Sequence, residues 1–131
     1  MAETRPHPIS MDTAIAALTF LADRTPTTTA EESSGAFTRL SDYRDGGIFV
    51  GHWAGKSEWE RHSAGDEIVL VVDGGTTITF LARDGEQSSR LGAGDVVVVP
   101  QGTWHRFETP HGVKVLSVTP QPTDHRTDRP G

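Results

Sequence analysis

Residues 94–105 read Gly94-Asp95-Val96-Val97-Val98-Val99-Pro100-Gln101-Gly102-Thr103-Trp104-His105. Four β-branched residues in a row favour a strand. The Pro-x-Gly after them suits a turn and not a central strand. The stretch therefore reads as strand, turn and return strand, with His105 near the start of the second strand. Upstream, Glu60-Arg61-His62 is followed by Ser63-Ala64-Gly65-Asp66 and then Glu67. Side chains two apart on a strand share a face, so Glu60 and His62 project together. The intervening turn is expected to lay the Glu67 strand alongside theirs, with Gly74 as the hairpin glycine that ends it.

Outward from these blocks the pattern repeats. Alternating or β-branched runs occur at 36–40, 47–53, 58–62, 67–72, 76–82, 88–91, 96–99, 104–108 and 113–118. Turn signals separate them, among them Asp45-Gly46-Gly47, Asp73-Gly74-Gly75, Asp84-Gly85 and Gly92-Ala93-Gly94-Asp95. Short strands at such spacing predict a sandwich or barrel, and closure would leave no open sheet edge. Before residue 36, Met11, Ala14, Ile15, Leu18 and Leu21 recur at helical spacing. They predict one amphipathic helix over 11–23, preceded by a loose lead-in at 1–9 and followed by a polar loop at 27–35. Residues 120–131, with three prolines, are expected to form an extended or frayed arm.

The chain has 131 residues, enough for one domain with a real core. It contains no cysteine, which removes disulfides and thiolate ligands and leaves His, Asp and Glu to hold any metal. A formal net charge of -6 argues against a nucleic-acid partner. The apolar run 14–21 is too short to span a bilayer and has no basic lead-in, so no membrane association is expected and the location expected is cytoplasmic. No Gly-x-Ser-x-Gly elbow, phosphate-cradling glycine loop or dinucleotide fingerprint is present.

The two blocks together resemble the paired motifs of the cupin superfamily, G-x5-H-x-H-x3,4-E-x6-G and G-x5-P-x-G-x2-H-x3-N. The second matches at Gly94, Pro100, Gly102 and His105, with Thr109 where asparagine closes it. The first matches at His62, Glu67 and Gly74; Ala54 stands at its opening glycine with Gly55 next to it, and Glu60 replaces its first histidine. The resemblance spans residues 37–119. It implies an all-β cupin fold, a double-stranded β-helix or jelly-roll barrel with one short N-terminal helix. Residues 1–35 would be lead-in and helix, 36–119 the barrel and 120–131 the tail.

Carried over position by position, the resemblance implies Glu60, His62, Glu67 and His105 as ligands of one divalent metal ion inside the barrel. Two imidazoles and two carboxylates are neutral with such an ion, which lowers the cost of burying it. The set is harder than three histidines and leans toward iron, manganese, zinc or nickel. The resemblance then implies a metal-dependent reaction on a small organic molecule, dioxygenase-like if one is chosen, with Glu60 able to act as a catalytic base. The alternative is a metal-free, non-enzymatic barrel that binds a small ligand for sensing or storage. A third is a rigid subunit of a larger assembly. Cupins also pair often, so a homodimer is expected.

Strand parity assigns the neighbours. Trp59, Arg61, Trp104 and Arg106 sit one step from the implied ligands and are expected on the other face, as packing or subunit contacts, whereas Phe107 shares the parity of His105 and can line the pocket. His52 reads as a partly buried polar residue, and Asp66 belongs to the turn. His7, His111 and His125 are expected to be exposed.

Overall fold

A computed structural model of the protein describes residues 7–131, so residues 1–6 of the expected lead-in lie outside the described residues. The chain runs α1 (Met11–Ala16), β1 (Leu21–Arg24), α2 (Ala30–Ser33), β2 (Phe37–Tyr43), β3 (Gly46–Lys56), β4 (Trp59–His62), β5 (Glu67–Ala82), β6 (Gly85–Gly92), β7 (Val96–Val99), β8 (His105–Pro120) and β9 (Thr123–Arg126). The fold is mostly strands, as expected.

The long strand β8 organises the sheet. It pairs antiparallel with β3, with β5 and, at its start, with β4. β1 and β2 join β3, β6 and β7 join β5, and β9 joins β4. The pairings branch from β8 without returning to it, so the curved sheet stays open where closure was expected. The core is built from Trp53, Val69, Val71, Ile78, Leu91, Val99 and Val113.

Four local expectations are corrected. The predicted hairpin at Asp73-Gly74-Gly75 is a bend inside the continuous strand β5. Gly74 there has φ +77°, and a Cβ on it would collide with the carbonyl oxygen of Gly112 in β8. The register shift at this bend switches the inward face from positions 67, 69 and 71 to positions 76 and 78. β4 and β5 do not lie side by side, because β8 sits between them and His105 is paired with Glu60 on one side and Phe80 on the other. The helix predicted over 11–23 stops after Ala16, since Leu21 is drawn into a parallel pairing with Trp53. The predicted loop at 27–35 holds the short helix α2, started by a capping box between Thr29 and Glu32.

The C-terminal arm is extended and tied down. Thr123–Arg126 forms β9, whose residues Thr123 and His125 stand opposite His62 and Glu60.

Candidate metal centre

β4 delivers Glu60 and His62, the first residue of β5 is Glu67, and β8 opens with His105. The ligand atoms of Glu60, His62 and His105 all lie within 4.8 Å of one another. Glu67 is outside that threesome but bridges its two histidines, with Oε2 3.3 Å from His62 Nε2 and Oε1 3.2 Å from His105 Nε2. Burial is deep: His62, Glu67 and His105 are 2%, 5% and 0% exposed.

The outer atoms of these side chains are held by the protein. His105 Nδ1 is 3.0 Å from the Thr103 carbonyl oxygen, which can only accept. The ring proton therefore sits on Nδ1 in the neutral form, and the Nε2 lone pair faces inward. His62 Nδ1 lies 3.0 Å from the Thr123 hydroxyl on β9, and the Thr119 hydroxyl donates to Glu67 Oε2 at 2.7 Å. The inner atoms are in the opposite condition. His62 Nε2, His105 Nε2 and Glu67 Oε1 are buried without an aligned hydrogen-bond partner. Buried polar atoms are rarely left so, and two such imidazole nitrogens clustered with the Glu60 carboxylate are suited to a cation.

Electrostatics agree with this. Burial would raise the Glu67 carboxyl, but the His105 and His62 imidazoles outweigh it and hold the group at about 2. Burial would lower His105; the Glu67 carboxylate, helped by Glu60, prevails and raises it above its usual 6.5.

The site opens into a cavity of about 740 Å³, within the range of small-molecule pockets. Phe37, Phe49, Trp53 and Phe107 supply aromatic wall, and Glu60 and Glu67 reach it from the candidate centre. Phe107 thus lines the pocket as parity predicts, and it meets the His105 ring edge-on at 5.7 Å. Trp59 and Trp104 do not line this cavity; they lie beneath Arg106 and Arg61, each with the guanidinium 4.7 Å from the ring centroid. His52 packs against Phe20 and is partly buried, Asp66 accepts a hydrogen bond from the Gln101 amide in the turn, and His7 and His111 are exposed. His125 is exposed too, yet it reaches the cavity rim and meets Glu58 at 2.7 Å.

Sequence reasoning missed Arg24, Thr119 and Thr123. Arg24 lines the cavity with its guanidinium 3.7 Å from Glu60, 4.4 Å from the Trp53 ring centroid and 5.2 Å from that of Phe37. Gly55 makes this possible. It is paired with Arg24, has φ +120°, and any Cβ there would collide with the Arg24 main chain. The glycine one step late in the first motif is the one that β1 rests on.

The family model for the cupin domain matches residues 51–119. YdbB of Bacillus subtilis (strain 168), an uncharacterised protein, is 28% identical over 67 residues, 51% of this chain and 57% of that protein. The match thus spans little more than half of that relative's length. Among solved structures, a cupin-2 domain protein from Shewanella frigidimarina NCIMB 400 is 24% identical with a TM-score of 0.54, covering 70% of this chain and 80% of its own. Hydroquinone 1,2-dioxygenase PnpCD, solved with Cd2+ and 4-hydroxybenzonitrile, is 20% identical with a TM-score of 0.56, covering 64% and 63%. At these identities the likeness is one of fold.

Proposed function

The chain belongs to the cupin family, and on that premise we propose that it is a metal-dependent cupin acting on a small organic molecule. Glu60, His62, Glu67 and His105 would hold one divalent ion. The observation that carries this reading is the convergence of two buried imidazole nitrogens, without aligned hydrogen-bond partners, with the Glu60 carboxylate, Glu67 lying beside them, next to a cavity with an aromatic wall. The ion would supply Lewis-acid polarisation of a substrate oxygen.

The rest falls to the chain. Thr103 and Thr123 keep the two rings aimed, and Thr119 fixes Glu67. The aromatic wall excludes water from the reacting molecule. Glu60 is the most exposed of the four, and its place on the cavity wall suits it to take a proton from substrate. Within this class a dioxygenase-like reaction is supported by the fold shared with the hydroquinone dioxygenase, and iron or manganese would serve it, zinc or nickel a non-redox reaction.

A second reading, a metal-free ligand-binding barrel, is favoured by one observation. Glu67 already lies between two imidazoles, so a protonated His105 would balance its charge without an ion. Elemental analysis of protein purified without chelators separates the two. About one equivalent of iron, manganese, nickel or zinc is expected, lost in His105→Ala; no uptake even after soaking would overturn the metal reading.

The working form is read as a cytoplasmic homodimer with no nucleic-acid partner. Ile68, Val96 and Val98 support pairing, as they form an outward apolar strip on β5 and β7, 40%, 60% and 55% exposed. Trp59, also expected there, is buried. Among the described residues no helix is long and apolar enough to cross a membrane.

A further inference from the structure

Among the described residues, Arg24 is the one basic side chain that is both mostly buried and part of the cavity wall. Its guanidinium lies over two aromatic rings, Trp53 and Phe37, and its only ion pair among the described residues is with Glu60. At 3.7 Å that contact is too long for a hydrogen bond, so a planar group with five N–H donors faces the cavity largely unused. Burial against aromatic surface costs a guanidinium much of its hydration, which the nearby Glu60 and Glu58 offset in part and an anion bound in the cavity would offset further.

The charges around Arg24 bear on such an anion. With a divalent ion in the centre, Glu60 and Glu67 would be neutralised, which leaves Glu58 at the rim, 2.7 Å from His125, as the remaining carboxylate of the lining. Among the described residues that line the cavity, Arg24 would then lose the one carboxylate it is ion-paired with, because Glu60 would be drawn on by the ion. The walls beside it are aromatic rings, which favour a flat apolar body.

Resting on the metal reading above, we propose that Arg24 is the anchor for an anionic substrate, and that the substrate class is a small monocarboxylate with a flat apolar body. The carboxylate would accept two parallel N–H bonds from the guanidinium. The body would lie along Phe37, Trp53 and Phe107, with its far end toward Glu60 and the histidines. Binding of the ion would draw Glu60 away from Arg24 and so free the anchor.

The test uses benzoate and its neutral isostere benzamide, titrated calorimetrically into wild-type protein and Arg24→Gln, each metal-free and zinc-loaded. Zinc uptake is measured first and by itself, so failure of the metal reading is seen independently. Zinc-loaded wild type is expected to prefer benzoate about 10-fold or more, and Arg24→Gln to lose that preference while still taking up zinc. In metal-free protein the same Arg24-dependent preference is expected, reduced by competition from Glu60. Should zinc fail to bind, that metal-free preference upholds the anchor without the ion. No saturable benzoate binding, or an unchanged benzoate-to-benzamide ratio in Arg24→Gln, would overturn the proposal. If Arg24 only braced Glu60, the variant would bind zinc more weakly and leave that ratio untouched. Arg24→Lys guards against a folding defect in the glutamine variant: it keeps the charge and is expected to keep the preference at lower affinity, and its loss there counts against the anchor.

Discussion

The main-chain amide of Gly102 donates to the carbonyl oxygen of His62 at 2.9 Å. The turn that opens β8 is thereby fastened to the residue whose ring His105 must face. Gln101 adds two more ties, its amide to Asp66 at 2.8 Å and its side chain to the Ser63 carbonyl at 2.7 Å. The two sequence motifs are one structural unit, joined at their turns, and the distance between the imidazoles follows from that joint.

Removing the support of His62 should weaken metal binding without unfolding the chain. Thr123→Val deletes the hydroxyl beside His62 Nδ1 and keeps the shape. Outer partners of this kind are worth about 10- to 100-fold in metal affinity. Zinc titration monitored by calorimetry should show that loss, with an unchanged circular dichroism spectrum. An unaltered Kd would mean that the β9 contact does not orient the ring.

Restoring the family's usual residue should be tolerated. Glu60→His is expected to bind one metal ion at least as tightly as wild type, read by elemental analysis after dialysis. Loss of the ion would show that Glu60 is not positioned as a ligand.

Gly55→Ala should be destabilising well beyond an ordinary surface change. It forces a side chain into positive φ and against the Arg24 main chain. Strain and overpacking together predict a loss of about 2–4 kcal/mol in urea unfolding, with β1 displaced. A change no larger than that of a control glycine such as Gly85, which also has positive φ but open space where a Cβ would go, would sink this account of the close approach.

In the metal-free protein the buried pair sets a pH window. The folded-state value of Glu67 is lowered from 4.5 to about 2, so its contribution is present above 4.5 and lost as pH falls toward 2. The value for His105 is raised, so its contribution is full below 6.5 and lost as pH rises through the raised value. These groups therefore favour the fold most between about pH 4.5 and 6.5. With zinc the upper limb should reverse, because the ion needs His105 deprotonated. Thermal unfolding scans with chelator and with zinc check both; parallel pH curves would refute it.

Strand periodicity made much of the centre legible. Parity alone puts Glu60 with His62, Phe107 with His105, and the neighbouring tryptophans on the far side. What stayed hidden depends on partners distant in the chain. Asp73-Gly74-Gly75 has the composition of a turn, and only the facing Gly112 makes it a bend within a strand. Met11 to Leu21 has helical spacing, yet Leu21 gains more from Trp53 than from another helical turn. Arg24 carries no local mark of its role, because its place in the cavity comes from a parallel pairing with Gly55. Thr123 lies in a proline-flanked stretch that gives no sign of facing His62.

Because β4 takes β9 as its outer neighbour, His62 waits for a residue 61 positions further along before its ring has a fixed direction. On the ribosome His62 and Glu67 emerge well ahead of Thr123 and Thr119, the residues that hold their outer atoms. A metal ion captured early would meet loosely held histidines and carboxylates, and the strand that arrives later is the one that gives the finished site its shape.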